Sequence, residues 1–229
     1  SACMTSRMDG PRIIPFLRSI PMQHNYQITP QSVGQGNASI LAARHIKTGR
    51  PCVAKMMDLA DEGDMTMFAA ETRFLAELNQ RRCPNIVTMM DSFVQGSSGV
   101  LILERMDSDL FDLLADGPAL AKSQKIDIFR QICMAVQQAH HAGIAHLDIK
   151  PENVLINKAT AEVKLADFGQ SQYVDDDGLV TNSTGTIQYA APERLQYEEC
   201  EAPGFAADIW SLGILFHVLF TGSWPYLNG

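Results

Sequence analysis

The chain has 229 residues, enough for one large domain or two small lobes, and 46% of them are hydrophobic, as in a protein with a packed core. Its net charge is −8 with no long basic run, which argues against a nucleic-acid partner and against a polybasic membrane patch. Five scattered cysteines, Cys3, Cys52, Cys83, Cys133 and Cys200, form no CxxC pair, which argues against a disulfide scaffold or a zinc site and fits a reducing, cytoplasmic setting.

Residues 1–25 carry prolines without clean periodicity and read as an irregular leader. The stretch "RIIPFLRSIP" is broken by Pro15 and Pro21 and makes a poor signal peptide. No apolar stretch is expected to reach the length of a membrane span. From Tyr26 to Met57 the pattern is that of three strands in a meander, with turns at "VGQGNAS" and "KTGRP". The segment "DEGDMTMFAAETRFLAELNQRR" then sets Phe68, Leu75 and Leu78 at helical spacing, with Asp61, Glu62 and Asp64 near its start and arginines near its end, as suits a helix dipole. "NIVTMMDSFV" and "GVLILERM" read as two more strands, completing a five-stranded sheet with one helix.

The second half is mostly helical. "DLFDLLADG" is a short helix ending at Gly117, and "SQKIDIFRQICMAVQQAHHAG" is a long one, with Ser123 as N-cap and Gly143 as its stop. His140 and His141 fall in its last turn, where the dipole favours them; no carboxylate or cysteine stands at ligand spacing. Two short strands, "NVLIN" and "EVKLAD", precede a polar segment, "GQSQYVDDDGLVTNSTGT". The last helix, "DIWSLGILFHVLFTG", is apolar on all sides and must be buried.

Several side chains in this order carry chemistry. The glycines of "VGQGNAS" let backbone N–H groups approach a phosphate, although a plain hairpin would use them equally. Lys55 lies on the third strand among apolar residues, and Glu71, sixteen residues on, can pair with it; a surface lysine and a solvated glutamate are the plainer reading. In "AHLDIKPENVLI", Asp148 can orient a hydroxyl and accept its proton, Lys150 can neutralise a transferring phosphoryl group, and Asn153 offers an amide oxygen to Mg²⁺. Asp167 in "ADFG" offers a carboxylate to the same ion. Taken singly, each of these is an ordinary loop residue.

Taken in order, the Gly turn, VAK, the helix glutamate, HxDxKPEN, DFG, GTxxYxAPE and DIWSLG resemble a eukaryotic protein kinase from about Tyr26 to Tyr226. The resemblance implies an α+β, two-lobed fold. A small lobe with a five-stranded antiparallel sheet spans 26–106, and a helical lobe over 107–229 is expected to lack its last helices. That would leave Ile214, Leu215 and Phe216 short of cover. It implies ATP and Mg²⁺ as cofactors and a protein with a Ser or Thr hydroxyl as substrate. Gly34 and Gly36 would cover the phosphates, with Ser39 in place of a third glycine, and Lys55, paired with Glu71, would contact them. Asp148 would be the base, assisted by Lys150 and Thr186, and Asn153 and Asp167 would hold the metal. Val33, Leu41, Ala54 and Leu155 would sandwich the adenine. Leu103 would be the gatekeeper, and Glu104 to Met106 the hinge. Leu75, Met89, His146 and Phe168 would form the apolar column joining the lobes, and Asp208 would tie down the catalytic loop.

The "KPEN" and "GTIQY" segments are similar to those of serine/threonine kinases, and "HLD" with "ERMDSDLFDLL" to the calcium/calmodulin-dependent group, myosin light chain kinase relatives in particular. Glu152 and Asp109 stand where family members read a basic residue upstream of the target. A pseudokinase acting as a scaffold is the alternative. Leu147 occupies the place of an arginine that in many relatives binds a phosphate on the activation segment, and Asn182 stands where that phosphate is usually carried. The expectation is activity without phosphorylation of that segment, with control by a regulatory tail or partner outside the chain.

Overall fold

The computed structural model describes residues 25–33, 38–181, 185–195 and 201–226. The leader up to residue 24, Gly34, Gly36 and Asn182 lie outside the described residues. The expected meander is β1 (Tyr26–Ser32), β2 (Ser39–His45) and β3 (Pro51–Asp58). After α1 (Glu62–Gln80), β4 (Met89–Gln95) and β5 (Ser98–Glu104) complete an antiparallel sheet ordered β1-β2-β3-β5-β4. One face of the sheet packs its own small core of Ala43, Cys52, Ala54, Val100 and Ile102. Lys55 follows buried Ala54 in β3 and is itself buried, on the side that meets α1.

Helix α1 starts where the sequence signals it. The Asp61 carboxylate caps the Asp64 N–H, and Glu62 and Asp64 meet the positive end of the dipole. Its buried stripe is Glu71, Phe74, Leu75 and Leu78, the spacing of one helical face, with a glutamate in it. Phe68 lies over Gly99 so closely that a Cβ there would come within 2.7 Å of its ring.

In the large lobe β6 (Ser108–Asp109) leads into α2 (Leu110–Asp116), and α3 (Lys122–His141) is followed by β7 (Ile144–Ala145), β8 (Val154–Asn157), β9 (Glu162–Leu165), β10 (Gln172–Tyr173), β11 (Leu179–Val180), β12 (Ala202–Pro203) and α4 (Gly204–Thr221). The N-cap of α3 is Ala121, not Ser123. The Ala121 N–H finds its acceptor in the Gln124 side chain, so the helix begins one residue before the serine. Gly143, at φ 75°, ends the turn after α3 as expected. The expected strand "NIVTMMDSFV" begins only at Met89. Asn85 and Val87 instead bond to β9, Leu165 N–H to the Asn85 carbonyl (2.8 Å) and Val87 N–H to the Leu165 carbonyl (3.0 Å). The Asn85 side chain adds a bond to the Val163 carbonyl. This segment ties the two lobes, and one apolar core runs from Phe74, Leu75 and Leu78 of α1 to Leu165, Phe168 and the buried faces of α3 and α4.

Three expectations about α4 are corrected. At 18 residues with mean hydropathy 1.5 it is long and apolar enough to cross a membrane, although half of it is buried inside the fold and it carries the buried Asp208. It is also not covered all round. Ile214 and Leu215, expected to be short of cover, are buried, whereas Ile209, Trp210 and Phe216 are exposed, and Phe216 packs edge-on against Phe129 of α3. Leu215→Ala is expected to cost about 2–5 kcal/mol through the cavity it leaves, and Phe216→Ala distinctly less. Denaturant titration checks the pair, and equal losses would contradict the assigned faces.

Candidate active site

Three elements converge on the cleft between the lobes. β3 contributes Lys55, α1 contributes Glu71, and the loop after β9 contributes Asp167. The Lys55 ammonium lies 2.6 Å from Glu71 Oε2 and 2.9 Å from Asp167 Oδ1. Lys55 and Glu71 are buried, while the Asp167 side chain is 36% exposed to the cleft. Asp167 itself sits in the left-handed region, at φ 62°, which turns the chain so that Phe168 points into the core and the carboxylate into the cleft. The Phe168 ring meets the His146 ring at 4.7 Å between centroids, and Leu75, Met89 and Phe168 share one core, as the column requires.

Burial alone would lower the Lys55 pKa, but Asp167 and Glu71 together outweigh it and hold the ammonium above its usual range. Burial pushes the Glu71 carboxyl up to about 7, against the pull of Lys55. For Asp167 the pull of Lys55 overcomes burial, and the carboxyl stays below the usual carboxylate range.

The loop between β7 and β8 gathers the second group. Both the N–H and the hydroxyl of Thr186 donate to Asp148 Oδ1, at 3.0 and 2.8 Å. Lys150 Nζ lies 2.7 Å from Asp148 Oδ2 and donates to the Thr186 hydroxyl, also at 2.7 Å. The Asn153 amide donates to Asp148 Oδ2 and to the Asp148 carbonyl. This leaves the Asn153 amide oxygen without a hydrogen bond among the described residues, while the Ala166 N–H bonds the Asn153 carbonyl and brings Asn153 beside Asp167. One carboxylate and one amide oxygen suit Mg²⁺, which keeps several waters and takes only one or two protein carboxylates.

The loop is held from below. Asp208 Oδ1 accepts the Leu147 N–H, and Oδ2 accepts the His146 N–H and contacts His140 Nε2, all at 2.8 Å. His146 Nδ1 accepts the Asp148 N–H and its Nε2 faces the Ala166 carbonyl, which fixes the neutral tautomer protonated at Nε2. Leu147 is at φ 69° and packs with Ala145, Val180, Ala191 and Ala207. Its carbonyl accepts from buried Arg194. The place of the expected basic residue is thus an apolar socket that includes Val180 of the following segment.

The remaining expected residues are placed as follows. Leu41 faces Ala54 across β2 and β3, both buried, and Val33 is exposed at the end of β1. Leu103 is buried at the end of β5, Met106 is half-buried, and Leu155 lies half-buried on β8. The Glu104 carboxylate turns away from the cleft to the Thr88 N–H (2.7 Å) and to Lys164 (2.9 Å). Asp109 is the N-cap of α2, bonded to the Asp112 N–H, so its expected role in reading a basic residue competes with a structural one. Sequence reasoning missed Lys164, Asn85, His140 as a partner of Asp208, and Tyr173. Each is a polar residue whose partner is distant in sequence, and only Lys164, set between apolar residues of a strand, carried a signal.

A protein kinase domain model matches residues 28–229. The fission yeast (Schizosaccharomyces pombe) protein kinase domain-containing protein ppk9 is 34% identical over 203 residues, 86% of this chain and 36% of that protein. CBL-interacting serine/threonine-protein kinase 3 of Arabidopsis thaliana is 32% identical over 201 residues, 86% of this chain and 45% of the relative. Death-associated protein kinase 2 of Mus musculus is 35% identical over 160 residues, 68% of this chain and 42% of the relative. The chain spans less than half the length of each of these relatives.

The raised Glu71 pKa gives a pH test. Folding favours its protonated form, so that contribution is complete below its ordinary value of 4.5 and is lost as pH rises through about 7. Unfolding free energies of the parent and Glu71→Gln, compared across this window, are expected to show the parent losing stability relative to the variant as pH rises. A constant difference would contradict the assignment.

Proposed function

The chain belongs to the protein kinase domain family, and on that premise we propose that it is a serine/threonine protein kinase that transfers the γ-phosphoryl group of ATP to a protein hydroxyl. The observation that carries this reading is the single cluster of Asp148, Lys150, Asn153 and Thr186, all joined by bonds of 2.7–3.0 Å. A pseudokinase would have no need of all four, nor of an intact Lys55–Glu71 pair.

Lys55, steadied by Glu71, presents its ammonium to the nucleotide phosphates, and Leu41, Ala54, Leu155 and Val33 bound the slot for adenine. The gatekeeper and hinge roles of Leu103, Glu104 and Met106, and the phosphate cover of Gly34 and Gly36, belong to the same proposal. Mg²⁺, held by Asp167 and Asn153, supplies positive charge at the phosphate oxygens when bound. Asp148 orients the acceptor hydroxyl and takes its proton as the new oxygen–phosphorus bond forms and the bond to the ADP oxygen breaks. Lys150, 2.7 Å from Asp148, stands where it neutralises the charge of the moving group.

On the substrate side, Glu152 Oε2 is buried without a hydrogen-bond partner among the described residues, which supports a subsite for a basic residue of the peptide. The calcium/calmodulin-dependent, myosin light chain kinase-like grouping, a cytoplasmic location, a regulatory tail or partner outside these residues, and the absence of nucleic-acid and membrane partners complete the proposal. So does independence from activation-segment phosphorylation, which the apolar socket of Leu147 supports, because Leu147 holds Val180 by apolar contact and offers no charge to a phosphate.

The full-length protein assayed with ATP, Mg²⁺ and a Ser/Thr peptide library tests the reading. Asp148→Ala is expected to lower turnover by roughly 10²–10⁴-fold with little change in ATP affinity. The triple change of Thr181, Ser183 and Thr184 to alanine is expected to leave turnover near parental. Full activity in Asp148→Ala would end the assignment of the base, and a tenfold loss, about 1.4 kcal/mol, in a folded triple variant would end the claim about the segment.

A further inference from the structure

Tyr173 lies outside every motif of the sequence, six residues beyond Asp167, in β10. Its backbone pairs with Ile144 in β7, immediately before the catalytic loop. Its side chain reaches the opposite way, to α1. The hydroxyl donates to Glu77 Oε2. The ring lies 5.0 Å from the Phe74 ring and 4.6 Å from the Arg73 guanidinium carbon. Glu77 is steadied from its far side by Arg81, at 2.8 Å. Tyr173, its contacts Glu77, Phe74 and Arg73, and Arg81 behind Glu77 thus form one half-buried patch of alternating charge and aromatic surface.

The position on α1 gives the patch its leverage. Phe74 and Glu77 follow Glu71 at steps of three residues, so the contact lies within about 9 Å of Glu71 along the helix. The end of the helix is fixed separately to the small lobe, where the Asn79 side chain bonds the Val87 carbonyl and the Met89 N–H. Tyr173 attaches the same stretch of α1 to the large lobe, beside the bond from the Gln170 amide to the Met67 sulfur and the packing of α1 on Phe168. Glu71 lies between the Tyr173 contact and Met67, so loosening the Tyr173 contact leaves α1 fewer constraints on the side where Glu71 meets Lys55.

We propose that Tyr173 is a positioning residue for phosphoryl transfer, clasping α1 through Glu77, Phe74 and Arg73 so that Glu71 stays on Lys55. The proposal rests on the kinase reading above. The clasp uses a neutral phenol against a carboxylate, and no phosphate takes part. Burial, and then the Glu77 carboxylate, raise the Tyr173 pKa, while the tyrosine hydroxyl bond is the main cause that lowers that of Glu77. The proton therefore stays on the phenol and the charge on Glu77, the arrangement the contact needs.

The test uses the full-length protein. Tyr173→Phe keeps the ring contacts and removes only the hydroxyl. It is expected to lower kcat/KM for ATP about tenfold, the size of one lost bond to a charged group, mainly through KM. Glu77→Gln, which keeps an acceptor oxygen but loses the charge, is expected to fall between the parent and Tyr173→Phe, and Glu77→Leu to behave as Tyr173→Phe. In a Glu71→Gln background, Tyr173→Phe is expected to add nothing, because it acts through Glu71. Amide hydrogen exchange of α1, read without any turnover, is expected to speed up in Tyr173→Phe. Parental KM and parental exchange in that variant, or a penalty that adds in full to that of Glu71→Gln, would overturn the proposal. Faster exchange in a protein whose parent transfers no phosphate would end the kinase reading, and with it the positioning role of Tyr173, leaving the contact purely structural.

Discussion

A carboxylate removed from water must have its lone pairs met by donors, or folding carries a cost of several kcal/mol. Asp208 is such a group. It is fully buried near the start of α4, and its donors are the N–H groups of His146 and Leu147 and the ring of His140. Two of the three are the backbone of the catalytic loop. The loop therefore has one low-energy position relative to α4, and Asp148, the next residue, inherits it. The His146 ring extends the constraint upward, accepting from the Asp148 N–H and meeting Phe168 in the core. From Phe168 the same core reaches Leu75 of α1, and α1 holds Glu71 against Lys55.

Leu147 shows how the loop and the segment after Asp167 share a support. Its positive φ turns the peptide so that its N–H meets Asp208 and its carbonyl meets Arg194. Its side chain is then left among Val180, Ala191 and Ala207. Val180 belongs to β11, which pairs with β12 at the entrance to α4, and the turn before it is closed by the Asp175 carboxylate on the Asp177 and Leu179 N–H groups. Apolar burial and local turn bonds thus order the segment between Tyr173 and Val180. Of the acidic run, Asp175 is consumed by the turn itself.

The strands, the long helices and the candidate catalytic residues were legible because each depends on local pattern or on motif spacing. The stripe of α1 and the Gly143 stop are of this kind. The two-residue strands β6, β7, β10, β11 and β12 were not, because a pair of residues has no period and its partner lies far along the chain. The same reason hid Tyr173 from Glu77 and Lys164 from Glu104. The start of β4 was misread because Asn85 to Val87 have strand-like composition but spend their backbone bonds on β9. Which sides of α4 are covered was not legible, because composition reports apolarity and not which side has a neighbour; Ile214 and Leu215 face inward, and Ile209, Trp210 and Phe216 outward.

The account stands or falls on Asp208 as the anchor of the catalytic loop. Asp208→Asn keeps the shape and one acceptor oxygen but removes the charge that holds both N–H groups. Site-resolved amide exchange of the full-length protein, with turnover measured on the same sample, addresses this directly. The account predicts that the His146 and Leu147 amides lose protection while β5 and the buried face of α3 keep theirs, and that turnover falls at least about tenfold, or 1.4 kcal/mol. Unchanged protection of those two amides together with unchanged turnover would contradict it.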